Sequence, residues 1–332
     1  MKRFFSVLLT IFMLLSLTAC GEPKPVEQSI FAMDTYMTLV AYGDNAQDAL
    51  DDCARAINDL ERTLSRTISS SCVARLNADG SFADEETARL VDRALHYSTE
   101  TGGTFDITIA PLVELWNITG DDPHVPAKRE IDALLPLVGS DHVHVKNSTV
   151  TLDEGCSIDL GGIAKGYASD VVADIFRCRG IESGTVSLGG NVYVCGTKPG
   201  GEAWTVGIQN PNGGDCAAYV SLTNTFAVTS GGYQRYFTAE DGTVYQHIID
   251  PHTGAPARSD LTSVTVICPN GTCADAYSTA LYVMGEQGAI DFWRSHGDFD
   301  MILITADGRL LYTPALTVTK PEGSNYDFQT IS

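Results

Sequence analysis

The chain has 332 residues, 44% hydrophobic and 19% charged, a globular balance that excludes a disordered polymer and leaves room for one large or two modest domains. Lys plus Arg number 21 against 42 Asp plus Glu, for a formal net charge of −21. Nothing so acidic supplies the basic stripe that nucleic acid or anionic lipid requires, and an anionic substrate needs local cations or a metal to draw it in against the overall field.

Lys2 and Arg3 precede an apolar run, Phe4 to Leu17, that is short for a bilayer span and placed as a signal peptide is placed. It ends in Leu17-Thr18-Ala19-Cys20-Gly21, a sequence similar to a bacterial lipobox with Cys20 as the acylated first mature residue. The expected organisation is a signal peptide at 1–19, a lipidated tether at 20–29 and one domain at 30–332, held by acyl chains on the extracytoplasmic face of the cell membrane. The remaining cysteines are scattered, with no C-x-x-C pair and no zinc-like spacing, so no disulfide pairing is read from them; Cys195 and Cys268, in apolar runs, read as buried thiols.

Apolar residues at Ala46, Leu50, Cys53, Ala54, Ile57, Leu60 and Leu64 recur with a helical period, and 85–101 repeats it through Leu90, Val91, Ala94 and Leu95. Gly102-Gly103 stops that helix, and Phe105–Ile109 has the look of a strand. His142–Val145 and Thr149–Leu152 flank Lys146-Asn147-Ser148 as a hairpin. Ser157–Leu160 reads as a strand entering Gly161-Gly162, with a helix over Ile163–Arg179. Short strands with Gly- and Pro-rich turns follow from 184 to 268, then a helix over Ala274–Met284 and paired strands around Asp307-Gly308. This mixed order predicts an α+β fold with largely antiparallel sheets.

Four segments carry residues suited to chemistry. The junction Asp159-Leu160-Gly161-Gly162-Ile163-Ala164-Lys165 presents free N–H groups, a positive helix end and a lysine to a phosphate, or is simply tight packing with a solvated lysine. Asp275 and Thr279 stand at i and i+4 on one helix face, offering two hard oxygens to Mg²⁺, although a capping role alone would also explain Asp275. His247 closes a strand before Asp250-Pro251, where it can accept a proton or contact an anion, while Asp250 and His252 read as turn residues. Asp106, in the apolar stretch after Phe105, needs a partner, and Met33 near the start reads as core.

Taken together, and in this order, several segments resemble the ApbE family, the FAD:protein FMN transferases. They are Met33-x-Thr35, Arg75-Leu76-Asn77, Gly102-Gly103-Thr104-Phe105-Asp106-Ile107, Asp159 to Tyr167, Leu188-Gly189-Gly190-Asn191, Thr229-Ser230-Gly231, His247-Ile248-Ile249-Asp250-Pro251-x-Thr253-Gly254 and Ala274-Asp275-Ala276-x-Ser278-Thr279-Ala280. The resemblance spans about residues 30–315. It implies a T-fold-like architecture of duplicated antiparallel sheet-and-helix units, with FAD in a groove between the halves. It implies Mg²⁺ held by the Gly162 carbonyl, Asp275 and Thr279, and FAD contacts at Met33, Thr104, Phe105, Asp106, Asp159, Lys165, His247, Ile249 and Ser278. The family reaction moves FMN from FAD to a Thr or Ser hydroxyl of an acceptor protein and releases AMP, with Lys165 and His247 the expected catalytic groups. Hydrolysis of FAD to FMN and AMP, or flavin binding without turnover, are the competing readings. The chain departs from the family twice: Asp34 stands where glycine is usual, and Thr67 where a flavin-contacting tyrosine is common.

Overall fold

The computed structural model describes residues 24–332; the signal segment and Cys20 lie outside them. Nine strands form one sheet whose spatial order follows chain order: Val26–Ala32, Thr35–Ala41, Ser183–Leu188, Asn191–Gly196, Thr225–Ser230, Leu261–Cys268, Asp300–Thr305, Arg309–Tyr312 and Asp327–Thr330. Every neighbouring pair is antiparallel except the last, where Arg309–Tyr312 runs parallel to Asp327–Thr330. The predicted α+β class and its antiparallel bias both hold. The sheet opens at Val26, so Val26–Ser29, expected in the tether, belong to the fold.

The sheet is buried on both faces, and its central strands show why. In Leu261–Cys268, Val264, Val266 and Cys268 join one apolar cluster while Ile267 joins another; in Asp300–Thr305, Met301 and Leu303 go one way and Ile302 and Ile304 the other. Successive side chains on a strand point to opposite faces, so such continuous apolar runs serve two layers at once. On one face lie the helices Ala46–Leu64, Ala164–Cys178 and Gly271–His296. On the other lies a three-stranded sheet of Trp204–Ile208, Ala218–Leu222 and Val318–Thr319. The first helix buries Ala46, Ala49, Leu50, Cys53, Ala54, Ile57, Leu60 and Leu64, the expected i, i+3, i+4 stripe.

Two expected strands are not strands. Phe105–Ile109 gives way to a 3₁₀ turn, Ile107–Ile109, that leads into the helix Ala110–Trp116. Asp106 causes this: its carboxylate accepts the Thr108 N–H at 2.8 Å and the Thr108 hydroxyl at 2.6 Å, capping the turn, and Pro111 fits the first helical positions. Ser157–Leu160 pairs with no strand, because Asn77 takes the place of one. The Asn77 amide donates to the Ile158 carbonyl at 2.9 Å and its carbonyl accepts the Ile158 N–H at 2.8 Å, while the Asp159 N–H donates to the Ile107 carbonyl. The hairpin Val143–Lys146/Thr149–Leu152 and the pairing around Asp307-Gly308 are as expected. The last helix is longer than the sequence suggested. It starts at Gly271 on an Asn270 cap and runs to His296, with a break at Gly285, whose φ of 75° admits glycine readily. There the Asp260 carboxylate accepts the Glu286 N–H at 2.8 Å.

Asn77→Ala should therefore cost about 1–3 kcal/mol, the price of orphaning the two main-chain groups of fully buried Ile158. Urea denaturation checks this: the midpoint falls with the slope unchanged.

Candidate active site

The site is built where two helices cross. A Cβ on Gly166 would lie 2.3 Å from the Gly271 carbonyl oxygen and 2.6 Å from the Asp275 Cβ, and one on Gly271 would lie 2.7 Å from the Gly166 carbonyl oxygen. Only glycine permits that approach. It sets Asp275 of the second helix over the N-terminal turn of the first, where Asp275 Oδ2 accepts the Gly166 N–H at 2.7 Å. The carboxylate thus meets the positive end of a helix dipole.

Asp275 is 4% exposed, and burial pushes its carboxyl above the usual carboxylate range. Lys165, the Gly166 N–H and the Asn191 amide oppose that shift, whereas Asp170 adds to it. The Asn191 Nδ2 is buried beside this carboxylate without a well-aligned acceptor. One helical turn on, Thr279 Oγ1 sits 3.3 Å from the Ser230 hydroxyl, and a Cβ at Gly162 would lie 3.8 Å from it. Ser278 is fully buried; its hydroxyl lies 2.8 Å from that of Ser230 and donates to the Asp275 carbonyl at 3.0 Å. Gly162, Lys165, Asp275, Ser278 and Thr279, distant in sequence, thereby come together, with Lys165 Nζ donating to the Gly161 carbonyl at 3.4 Å.

The remaining predicted residues line up around this centre in different ways. Phe105 is buried, and its ring would lie 3.3 Å from a Cβ at Gly162, so it floors the glycine turn. The Asp106 carboxylate is satisfied by Thr108 and by the Ser98 hydroxyl at 3.1 Å, and Thr104 Oγ1 donates to the Thr101 carbonyl. Asp159 accepts the Gly161 N–H at 2.8 Å and pairs with Arg66 Nε at 2.8 Å. Ile249 buries its side chain with Leu112, Trp116 and Ile118, apart from the other groups. Asp250 starts its turn as expected, accepting the His252 N–H and the Thr253 hydroxyl, but the His252 ring packs on Gly103 and closes that loop.

Met33 and Asp34 form the two-residue turn between the first strands, with φ of 49° and 58°. Such values favour glycine, which accounts for the family's usual residue at 34, and a left-handed methionine is a strained choice. The turn is held by the Met33 N–H on Glu61 Oε1 at 2.7 Å and by Arg235, which donates to the Asp34 carbonyl at 3.1 Å. Arg235 in turn accepts from His247: its carbonyl takes the His247 N–H at 3.1 Å and lies 3.2 Å from Nδ1. With Nδ1–H donating there, the Nε2 lone pair is free. Burial, Arg235 and Lys165 together push the His247 pKa down to about 4. The ring is therefore neutral at pH 7, and stability from this group is full above pH 6.5 and is lost as pH falls towards 4.

Sequence reasoning gave no role to Ser230, Asn191, Arg66, Arg235 or Glu61. The first two lay within quoted motifs; Arg66 and Arg235 carry no spacing signal, because their partners are far away in the chain. Two surface hollows, of about 350 Å³ around Asn210 and Tyr326 and about 540 Å³ around Leu222 and Trp293, include none of the predicted site residues.

The model of the ApbE family matches residues 33–303. Among curated relatives, the FAD:protein FMN transferase of Treponema pallidum is 34% identical over 284 residues, 79% of this chain and 78% of that protein. The protein of the same name from Vibrio cholerae is 31% identical over 82% of this chain and 86% of its own. Among solved structures, the ApbE protein of Thermotoga maritima superposes with a TM-score of 0.80 at 32% identity, covering 90% of this chain and 97% of that one. The apo flavinyl transferase ApbE of Pseudomonas stutzeri follows at 0.79 and 27%, covering 92% and 97%.

Lys165→Ala should raise the His247 midpoint from about 4 towards its ordinary value, since it removes one of the two cations that disfavour the imidazolium. An NMR titration of the His247 ring protons reads this directly; an unmoved midpoint would separate the two residues.

Proposed function

The chain belongs to the ApbE family, and on that footing we propose that it transfers FMN from FAD to a Thr or Ser hydroxyl of an acceptor protein. The product is a phosphoester, AMP leaves, and the reaction depends on Mg²⁺. The reading rests above all on the meeting of Asp275, Thr279 and the Gly161-Gly162 turn at the head of the 164–178 helix, with Lys165 beside them. Segments from both halves of the chain converge there, which favours FAD lying in a groove between them.

The residues fit a magnesium ion. Asp275 is a buried carboxylate with one main-chain N–H as its aligned donor, and with the Thr279 hydroxyl and the Gly162 carbonyl it makes a set of hard oxygens. Among the described residues no group of three or more His, Cys, Asp or Glu gathers for a metal, in keeping with a donor set containing one acid. The ion would neutralise the pyrophosphate and the charge that develops on the leaving phosphate.

The chain's own groups do the rest. Lys165 and the positive N-terminal end of the 164–178 helix draw in the pyrophosphate that a net charge of −21 repels. The acceptor hydroxyl oxygen attacks the flavin-side phosphorus, the bond to the bridging oxygen breaks, and AMP departs with that oxygen. His247 Nε2 takes the hydroxyl proton, assistance typically worth about 10²–10⁴ in rate. A pyrophosphate next to Lys165 cancels the cation's pull on His247, so the ring becomes more basic once substrate is bound. Arg66 and Glu61 hold Asp159 and Met33 in place around it. We also infer that Cys20 is lipidated and that the domain sits at the extracytoplasmic membrane face; the sheet starts at Val26, so the anchor and the fold are only a few residues apart.

Incubation with FAD, Mg²⁺ and an acceptor domain, followed by a denaturing gel read for flavin fluorescence, tests the proposal. A fluorescent acceptor band supports it, whereas free FMN and AMP with no labelled acceptor makes the protein a hydrolase. His247→Asn should retain FAD and slow labelling about 10²–10⁴-fold. Asp275→Asn, which keeps the shape and removes the charge, should abolish stimulation by Mg²⁺.

A further inference from the structure

We infer that Ser230 is a positioning residue for the cation site: its hydroxyl accepts the Thr279 proton and so leaves the Thr279 lone pairs facing the Gly161-Gly162 turn. The inference rests on the reading of Asp275, Thr279 and the Gly162 carbonyl as a divalent-cation site. It adds to that set a residue that acts only through Thr279.

A serine or threonine hydroxyl has one proton to donate and two lone pairs to accept with. Three hydroxyls lie in a row here, so the direction of each bond follows from the one before it. Ser278, fully buried, donates its proton to the Asp275 carbonyl at 3.0 Å. Its oxygen is therefore the acceptor for the Ser230 hydroxyl at 2.8 Å. With its own proton so placed, Ser230 is the acceptor across the 3.3 Å to Thr279 Oγ1. The proton order runs from Thr279 to Ser230, to Ser278, to the main chain. A threonine inside a helix commonly turns its proton to the carbonyl one turn back. For Thr279 that is the Asp275 carbonyl, where Ser278 already donates.

The sheet holds Ser230 in place for this. It closes the strand Thr225–Ser230 in register with Val264, and its neighbour Thr229, on the opposite face, is fixed by the Thr265 hydroxyl at 2.8 Å. Ser230 and Thr279 are both half-buried, at the rim between buried Ser278 and the glycine turn, where a Cβ on Gly162 would lie 3.8 Å from Thr279 Oγ1. A hydroxyl binds a cation through a lone pair, and a proton turned towards the ion opposes binding. Without Ser230 the Thr279 hydroxyl is free to rotate among its staggered positions, one of which presents the proton.

The test uses Mn²⁺ as probe and reads the free ion from its EPR signal while the full chain, saturated with FAD, is titrated. Ser230→Ala should raise the Kd for Mn²⁺ about 10–100-fold, and Ser230→Thr, which keeps the hydroxyl, should restore most of the affinity. In a Thr279→Val background, Ser230→Ala should add less than about twofold, because the residue it acts through is gone. An unchanged Kd in Ser230→Ala, no recovery in Ser230→Thr, or the same loss in the Thr279→Val background would each overturn the assignment and leave the cation site standing. A wild-type chain that binds FAD but no Mn²⁺ removes the cation site and the role of Ser230 together. Acceptor labelling is not read in this titration, so its failure counts against the transfer reaction alone.

Discussion

Everything at the site depends on two helices coming close enough for the Asp275 carboxylate to reach the Gly166 N–H. Gly166 and Gly271 make the approach possible, because a methyl group on either would overlap main-chain atoms of the other helix. The contact joins residues 109 positions apart, one on each side of the sheet strands that separate the helices in sequence. A carboxylate in so dry a place is costly unless something positive compensates it. Here a helix N-terminus, a lysine and an asparagine amide do so in part, and the remaining demand for positive charge is what suits the position to a cation.

The same economy of charge runs through the surroundings. Asp159 and Asp106 also sit close to the glycine turn, but each is occupied: Asp159 by Arg66 and the Gly161 N–H, Asp106 by Ser98 and Thr108. Their work is to shape the loops, and Asp275 is left as the acid whose carboxylate is aligned with a single donor. His247 is the counterpart on the other bank. Burial, helped by the cations next to it, keeps it neutral, so its Nε2 stays an acceptor at physiological pH. In a chain of net charge −21, the local sign of the field at Lys165, Arg235 and Arg66 decides whether an anion can enter at all.

The helices Ala46–Leu64, Glu85–Glu100 and Ala164–Cys178 were legible because each has a long stripe with a 3.6-residue period, and the helix stop at Gly180 because its φ of 70° suits glycine, whereas the short helices Cys72–Asp79, Ala110–Trp116 and Lys128–Leu134 gave no such stripe and were not read. The residues of the central cluster were legible as well, but only jointly, through the order of their motifs; Asp275 and Thr279 alone do not distinguish a ligand pair from a helix cap. Two short apolar stretches misled because a side chain replaced the backbone partner a strand would have had: Asp106 folds 105–109 into a 3₁₀ turn, and Asn77 pairs with Ile158. The link from Met33 through Arg235 to His247 was invisible for a related reason. It consists of main-chain carbonyls accepting from residues up to 201 positions away, a pattern that leaves no trace in local composition. Ile249 shows the opposite limit, a motif residue whose side chain turns out to be core.

The central claim is that the Gly162 carbonyl, Asp275 and Thr279 close around one divalent ion. It is tested most directly by growing crystals with FAD and Mn²⁺ and collecting data at an energy where manganese scatters anomalously. The account predicts a single strong peak in contact with those three groups and with the pyrophosphate. Ordered FAD with the manganese peak elsewhere, or with none at all, would contradict it.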